Sequence, residues 1–416
     1  MRSGPLVFGL ARCRGRRVRP ATAGTGYARA GTGEAASAGI ELFCELARMV
    51  AALAEVQSLR SFALPYPGYA QRALDRTVMR CLGLGETPPR SLPELWDWCR
   101  SRTAGDPLFA VPASFVDPDA TLVHPVGLMP TRTCLEVASH GPAGGVAVDA
   151  RTLLDDLEAR CGTAERYRRC RRFLARHPVV HQENRRVPGW SKSVWSTVKE
   201  LYQPLPESLR VEDVSLRCPS CGLPAIPEGG STPVSGKPPL GEGIWCEGEE
   251  CPHADGLELI REPDLALILP RALRAFLVLP HRTEEAALNA LDGAGIGYEA
   301  VSGHLCAYRL RSIGSATLDV RVYDRLQPGL LAAHLTRDTP AADRTFVVVP
   351  ERLADRDGYR AGFTAALPAQ LRERIVLTAP ADLVRGLGAP LTGDDGAESR
   401  YRRNPEPTRP EGEDDA

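Results

Sequence analysis

Apolar and polar positions along the chain fall into two rhythms. The first opens near residue 40, where "IELFCELARMVAALAEVQSL" returns apolar side chains to one face at helical spacing. "PPRSLPELWDWCRSR" predicts a second helix, entered through prolines and capped by Ser91. Residues 106–130 are rich in Pro, Asp and Gly and predict a loop with short extended pieces. "DARTLLDDLEARC" and "AERYRRCRRFLARH" give two amphipathic helices, and "SKSVWSTVKELY" a third after a turn at Pro188 and Gly189. A Gly- and Pro-rich segment follows, with "REPDLALILPRALRAFLVLP" as its exit.

The second rhythm begins with the helical "TEEAALNALDGAG" and continues through two short strands, "CAYRLR" and "ATLDVRVYD". "PGLLAAHLT" reads as a helix and "RTFVVVPE" as a buried strand; "RAGFTAALPAQL", "RIVLT" and "PADLVRGLG" add a helix, a strand and a closing helix. Strands alternating with helices predict an α/β sheet. No internal repeat is visible.

Composition sets the outer limits. A chain of 416 residues exceeds one ordinary compact domain, so two or three are expected. With 43% hydrophobic and 25% charged residues it reads as globular. No apolar run reaches the roughly eighteen residues of a membrane helix. A soluble, cytoplasmic protein with no membrane partner is therefore expected. The first residues are basic, with no acid before Glu34, and residues 1–38 are expected to be a disordered tail. Residues 389–416, charged and proline-containing, are expected to be disordered as well. Between them we expect a mainly helical region over 39–215.

The net charge of -1 conceals a local imbalance. From Arg160 to Lys199, eleven Arg or Lys residues face two acids, Glu165 and Glu183. Within this stretch Arg168, Arg169, Arg171, Arg172, Arg185, Arg186, Lys192 and Lys199 are candidate phosphate contacts. Residues 160–203 are a candidate helix-turn-helix-like unit binding DNA. A solvated helical face would carry the same charge. All but three of the 51 basic residues are arginine, as in a GC-rich genome, and no lysine follows Lys237.

Most of the twelve cysteines are scattered singly, which fits a reducing compartment. Four are not. Cys218 and Cys221 flank two residues, Cys246 and Cys251 flank four, and 24 residues separate the pairs. Two thiolates at each of two tight turns complete the tetrahedron that Zn2+ favours, so a structural zinc ribbon is expected over 216–260. The loop between the pairs has little core of its own, so a metal would order it. Four protein ligands leave no open position for catalysis. Free cysteines are the alternative, and His253 is an alternative ligand to Cys251.

In "SATLDVRVYD" the strand period places Asp319 and Arg321 on one face. A carboxylate two residues before a basic side chain suits metal-dependent phosphodiester hydrolysis, the acid holding the ion and the base steadying charge. An edge-strand ion pair explains the pattern equally well.

In their order, "FLARHPVV", "LYQPLPESLRVEDVSLRCPSCGLPAI", "FLVLPHRTEEAALNALDGAGIGYEA", "LDVRVYD", "LLAAHL" and "FVVVPE" resemble the restriction-endonuclease (REase)-associated protein of the bacterial pPIWI-RE three-gene island. The resemblance covers roughly residues 40–388. It implies a domain Y followed by an α/β restriction-endonuclease-like domain, here over 272–388. It also implies antiviral defence against invading DNA beside a Piwi-related protein and a DinG-type helicase. Nucleases of this class bind Mg2+ or Mn2+ through acids, with a lysine assisting. By that resemblance Asp319 matches the acid, Arg321 fills the lysine slot and Glu285 is the auxiliary acid. Arg309 in "CAYRLR" stands about where the earlier metal-binding acid is expected. Arginine stays protonated and cannot act as a base, and a guanidinium at 309 would repel a metal. The departures point to a DNA-binding component whose nuclease domain is catalytically degenerate. The alternatives are an active metal-dependent DNA endonuclease and a non-enzymatic DNA-binding regulator or assembly scaffold.

Overall fold

The structure, a computed structural model, describes residues 31–56, 64–140, 145–181, 187–210, 214–227, 244–251, 256–260, 262–311 and 316–388. Arg185, Arg186 and His253 lie outside the described residues, as do 1–30 of the expected N-terminal tail and 389–416. Helix α1 (Gly31–Val56) begins ahead of Gly39, where the apolar pattern first becomes legible. With α2 (Gly68–Leu84), α3 (Leu92–Ser101) and α4 (Arg132–Ala138) it encloses the first core. Ser91 caps α3 as expected, its hydroxyl accepting from the Glu94 amide at 3.3 Å. The 106–130 stretch is irregular but not peripheral: Leu108, Phe109, Val116 and Leu122 enter the same core. Gly39 lets α1 reach it, since a Cβ there would lie 2.1 Å from the Phe109 carbonyl oxygen.

A second core gathers α5 (Gly145–Cys161), α6 (Ala164–Arg176), β1 (Val179–His181) and α7 (Lys192–Val198). β1 and a connection far longer than the roughly three- or four-residue turn of a helix-turn-helix separate α6 from α7. The basic segment therefore lacks that motif's geometry. After β2 (Gln203–Pro204) the chain leaves to form β3 (Ser215–Arg217), β4 (Pro224–Pro227), β5 (Ile244–Cys246) and β6 (Glu258–Ile260), an antiparallel sheet in the order β5-β4-β3-β6. It returns as β7 (Ala266–Ile268), which pairs antiparallel between β1 and β2. The cysteine-bearing sheet is thus an excursion from a small sheet that no local pattern announced. Trp245 of β5 anchors it, buried against Gly127, where a Cβ would come within 2.4 Å of the indole.

The expected boundary at residue 272 falls inside a continuous rod. It consists of α8 (Arg271–Leu273), a π-turn (Arg274–Val278) and α9 (Leu279–Gly293). Pro280 cannot donate to the preceding turn, and the wider π spacing just before it absorbs the mismatch. Leu273, Phe276 and Leu277 pack with α5–α7, whereas Ala287 and Leu291 pack under the last sheet. That sheet contains β8 (Tyr298–Ala300), β9 (Ala307–Leu310), β10 (Leu318–Val322), β11 (Arg344–Val348) and β12 (Ile375–Thr378) in the order β12-β11-β10-β9-β8. β10, β11 and β12 run parallel, while β8, β9 and β10 form an antiparallel meander. α10 (Pro328–Arg337) links β10 to β11; α11 (Glu351–Ala354), α12 (Tyr359–Ala366) and α13 (Ala369–Arg372) precede β12, and α14 (Pro380–Gly388) closes the fold. A helical N-terminal region followed by a sheet-containing C-terminal domain agrees with the sequence reading. Among the described residues no helix is long and apolar enough to cross a membrane.

Buried polar groups join these units. The Arg132 Nη2 donates at 2.7 Å to both the carbonyl and the carboxylate of Asp324, just beyond β10. Its Nη1 reaches the Gly248 carbonyl at 3.2 Å, and its backbone amide donates to Glu249 at 2.7 Å. Arg132 and Asp324 are each 3% exposed. Glu136, one turn along α4, accepts the amides of Leu326 and Gln327 at 2.7 and 3.1 Å. On the other flank Glu284 of α9 accepts both terminal nitrogens of Arg171 at 2.9 and 2.8 Å.

Removing one partner of a buried ion pair strands the other, a loss of about 3–5 kcal/mol. Arg132→Met should lower the urea-unfolding free energy by about that amount, and an unchanged midpoint would show that the seam does not hold the fold. The acid side is also defined. Burial raises the Glu284 carboxyl, but Arg171, His281 and Tyr308 outweigh it and bring it down to about 2. Asp324 is likewise lowered: burial opposes, while Arg132 and Arg352 prevail. Both carboxyls therefore stabilise the fold fully above their unfolded values of about 4, and that stabilisation fades as pH falls through their lowered folded values, about 2 for Glu284. Urea midpoints measured from pH 5 downwards should drop across that window, and Glu284→Gln should flatten the drop.

Candidate functional site

All five residues of β10 are buried. Leu318, Val320 and Val322 enter the core with Ala287 and Leu291, so the strand period turns Asp319 and Arg321 to the opposite face, that of α10. Antiparallel register places Arg309 of β9 directly across from Asp319. Its Nε lies 3.0 Å from one carboxylate oxygen and its Nη2 3.4 Å from the other. Asp319 is 1% exposed and Arg309 41%, so the guanidinium lies between the carboxylate and solvent. Arg321 has a different counter-ion: its Nη1 is 3.3 Å from the Asp338 carboxylate, which His304 Nδ1 also approaches at 3.2 Å. Glu285 is paired with Arg176 of α6. Among the described residues no group of three or more Asp, Glu, His and Cys ligands includes Asp319 or Glu285. The three residues expected to serve one ion are each engaged elsewhere. The two Arg309 contacts engage one acceptor site on each Asp319 carboxylate oxygen.

The four cysteines do converge. The ligand atoms of Cys218, Cys221, Cys246 and Cys251 all lie within 4.8 Å of one another. The first pair sits in the β3–β4 turn, where the Gly222 amide donates to the Cys218 carbonyl at 2.8 Å with φ +73. That left-handed conformation suits glycine. Of the second pair, Cys246 ends β5 and Cys251 follows it. Between its members, Gly248 leaves room for the sulfurs, since a Cβ there would fall 2.6 Å from the Cys251 Sγ and 3.3 Å from the Cys221 Sγ. The sheet's own core is small, comprising Leu216, Cys218, Ala225, Cys246 and Leu257. Four sulfurs at this separation can hold a metal such as zinc.

The basic segment divides. Arg168 and Arg172 are exposed one turn apart on α6, and both lie in the electrostatic surroundings of Tyr298 on β8. Arg169 is exposed and bonded to Glu165 at 2.7 Å; Lys192 and Lys199 are exposed on α7 and just after it. Arg171 is not on this face. It is largely buried against Glu284 and is taken up in docking α6 onto α9. The sequence reading missed Asp338 and His304 as neighbours of Arg321, and Arg132 as the clamp behind β10. None has a local signal, because each meets its partner only through the sheet or the domain seam.

Residues 42–181 match the pPIWI_RE three-gene island domain Y, and residues 282–393 match the REase associating with pPIWI_RE. The first match ends with β1, the second begins inside α9, and the cysteine sheet lies between them. No curated protein and no solved structure matches the chain. A domain Y and an REase-like domain in this order identify the chain as a member of the REase-associated family of the pPIWI-RE three-gene island.

Proposed function

We propose that the protein is a DNA-binding component of a prokaryotic defence system, and that its REase-like domain is catalytically degenerate. The observation that carries the second part is the Arg309–Asp319 pair, which occupies both oxygens of the one acid retained on β10. DNA binding is supported by the exposed Arg168, Arg169, Arg172, Lys192 and Lys199, a surface that no buried contact consumes. Such a surface grips phosphates without reading sequence. The island's Piwi-related protein and DinG-type helicase are the proposed partners, and one of them would supply any cutting. We further propose that the cysteine sheet is a zinc ribbon with a structural ion. Its role is to fix Gly248 and Glu249 where they receive Arg132.

Purified protein incubated with plasmid and single-stranded DNA in Mg2+ or Mn2+ should shift both and cut neither. Metal-dependent cutting that disappears in Asp319→Ala would overturn the degenerate reading. Reversing Arg168 and Arg172 to Glu should weaken binding at least about tenfold and reduce the log–log salt slope by about two. An unchanged affinity would remove DNA from this face. Elemental analysis should find a single zinc per chain, and Cys221→Ser should lose it together with much of the thermal stability. Metal-free protein with wild-type stability would sink the ribbon.

A further inference from the structure

A cavity of about 50 Å³ lies at the carboxyl end of β10, bounded by α5, the π-turn and α10. Ligands of sheets with parallel strands characteristically bind at such ends, and here the parallel half of the sheet meets the antiparallel half. Its charged lining is unequal. Asp338 is already held by Arg321 and His304, and Asp324 by Arg132 and Arg352. The guanidiniums of Arg151 on α5 and of Arg325 make no hydrogen bond and no direct ion pair among the described residues, although the buried Glu136 attracts that of Arg325 electrostatically. The Arg151 Nε is buried without a partner, and so is the Nε of Arg321 beside the cavity. The Arg325 guanidinium is stacked 4.4 Å over the Phe276 ring, which fixes its plane without neutralising it. Burial opposes charge on Arg325 and on His334, which it holds down at about 3. His334 therefore enters as a neutral ring with a nitrogen to donate.

We propose that this cavity is a binding site for a phosphate monoester, supplied by the 5′ end of a DNA strand. Two guanidiniums with no directly bonded carboxylate suit a monoester, whose charge is about -1.5 to -2 near neutral pH, and planar forks suit its oxygens. The volume decides between a phosphate and a larger group. One water needs about 10–15 Å³ of such space, so the cavity holds a small oxyanion and not a nucleobase. The site stands apart from Asp319, roughly 13 Å back along the strand, and needs no metal. Only the source of the phosphate rests on the DNA-binding reading; the pocket's chemistry does not.

The full-length protein is titrated with inorganic phosphate, with a nucleoside monophosphate and with matched oligonucleotides bearing a 5′-phosphate or a 5′-hydroxyl. Wild type should favour the phosphorylated strand about tenfold or more. Arg151→Gln and Arg325→Gln should each erase that preference, while Arg168→Gln on the exposed face should keep it. Arg151 tests the site should Arg325→Gln fail to fold. Equal affinity for both strands with no binding of free phosphate would overturn the proposal and leave DNA binding by α6 standing. Preference retained in both variants would overturn it too. Phosphate binding that the variants abolish, in a protein with no affinity for DNA, would keep the pocket, assign it to a free phosphate metabolite and remove the DNA-binding reading.

Discussion

The guanidinium of Arg132 has no access to bulk water, and that constraint reaches into every part of the molecule. A buried charge must find its oxygens inside the protein, because desolvation is otherwise prohibitive. Arg132 takes them from the loop after β10 and from the turn that carries the second cysteine pair. α4 is thereby tied to both the sheet and the cysteine module. Glu136 obeys the same logic with opposite sign. Burial raises its carboxyl, and Arg325, Arg132 and the amides of Leu326 and Gln327 oppose that rise. Close packing reinforces the seam at Gly329, where a Cβ would lie 2.1 Å from the Ser114 carbonyl.

Fixing β10 at Asp324 has consequences along the strand. Its carboxyl end is clamped to α4 and Arg352, and its amino end is closed by Arg309. Hydrolytic sites of the kind the sequence suggested need carboxylates that can be lent to an ion. Here each acid is already part of the packing. The same economy operates on α6, where Arg171 and Arg176 reach Glu284 and Glu285 of α9 while Arg168 and Arg172 stay outside. Arg171 and Arg176 thereby tie α6, which carries the exposed Arg168 and Arg172, to α9.

How much of this was legible beforehand depended on the range of the interaction. α3 with its Ser91 cap, α5, α6 and the strand–helix alternation after residue 300 carry their signals within a few residues, and the sequence reading placed them. The cysteine spacing foretold a converging cluster because ligand geometry constrains spacing directly. β1, β2 and β7 are too short to have a period, and β8 has two exposed residues out of three. Arg132 and Asp324 are 192 positions apart, and nothing near either one names the other. Charge count misled at Arg171 for the related reason that a buried arginine and a solvated one look alike in sequence.

No single substitution at 309 or 321 builds a cluster of acids on β10 among the described residues. A lysine at 321 would still face Asp338, which lies against His304, and it would leave Asp319 covered by Arg309. Replacing Arg309 alone would bare the Asp319 carboxylate in a buried strand. Such an acid binds a cation only if a second oxygen donor stands beside it, and no neighbouring acid among the described residues completes the set. The two arginines are thus structural counter-ions of one another's surroundings. The two phosphate contacts that we propose, on the face of α6 and in the pocket beyond Tyr323, both rest on guanidinium groups.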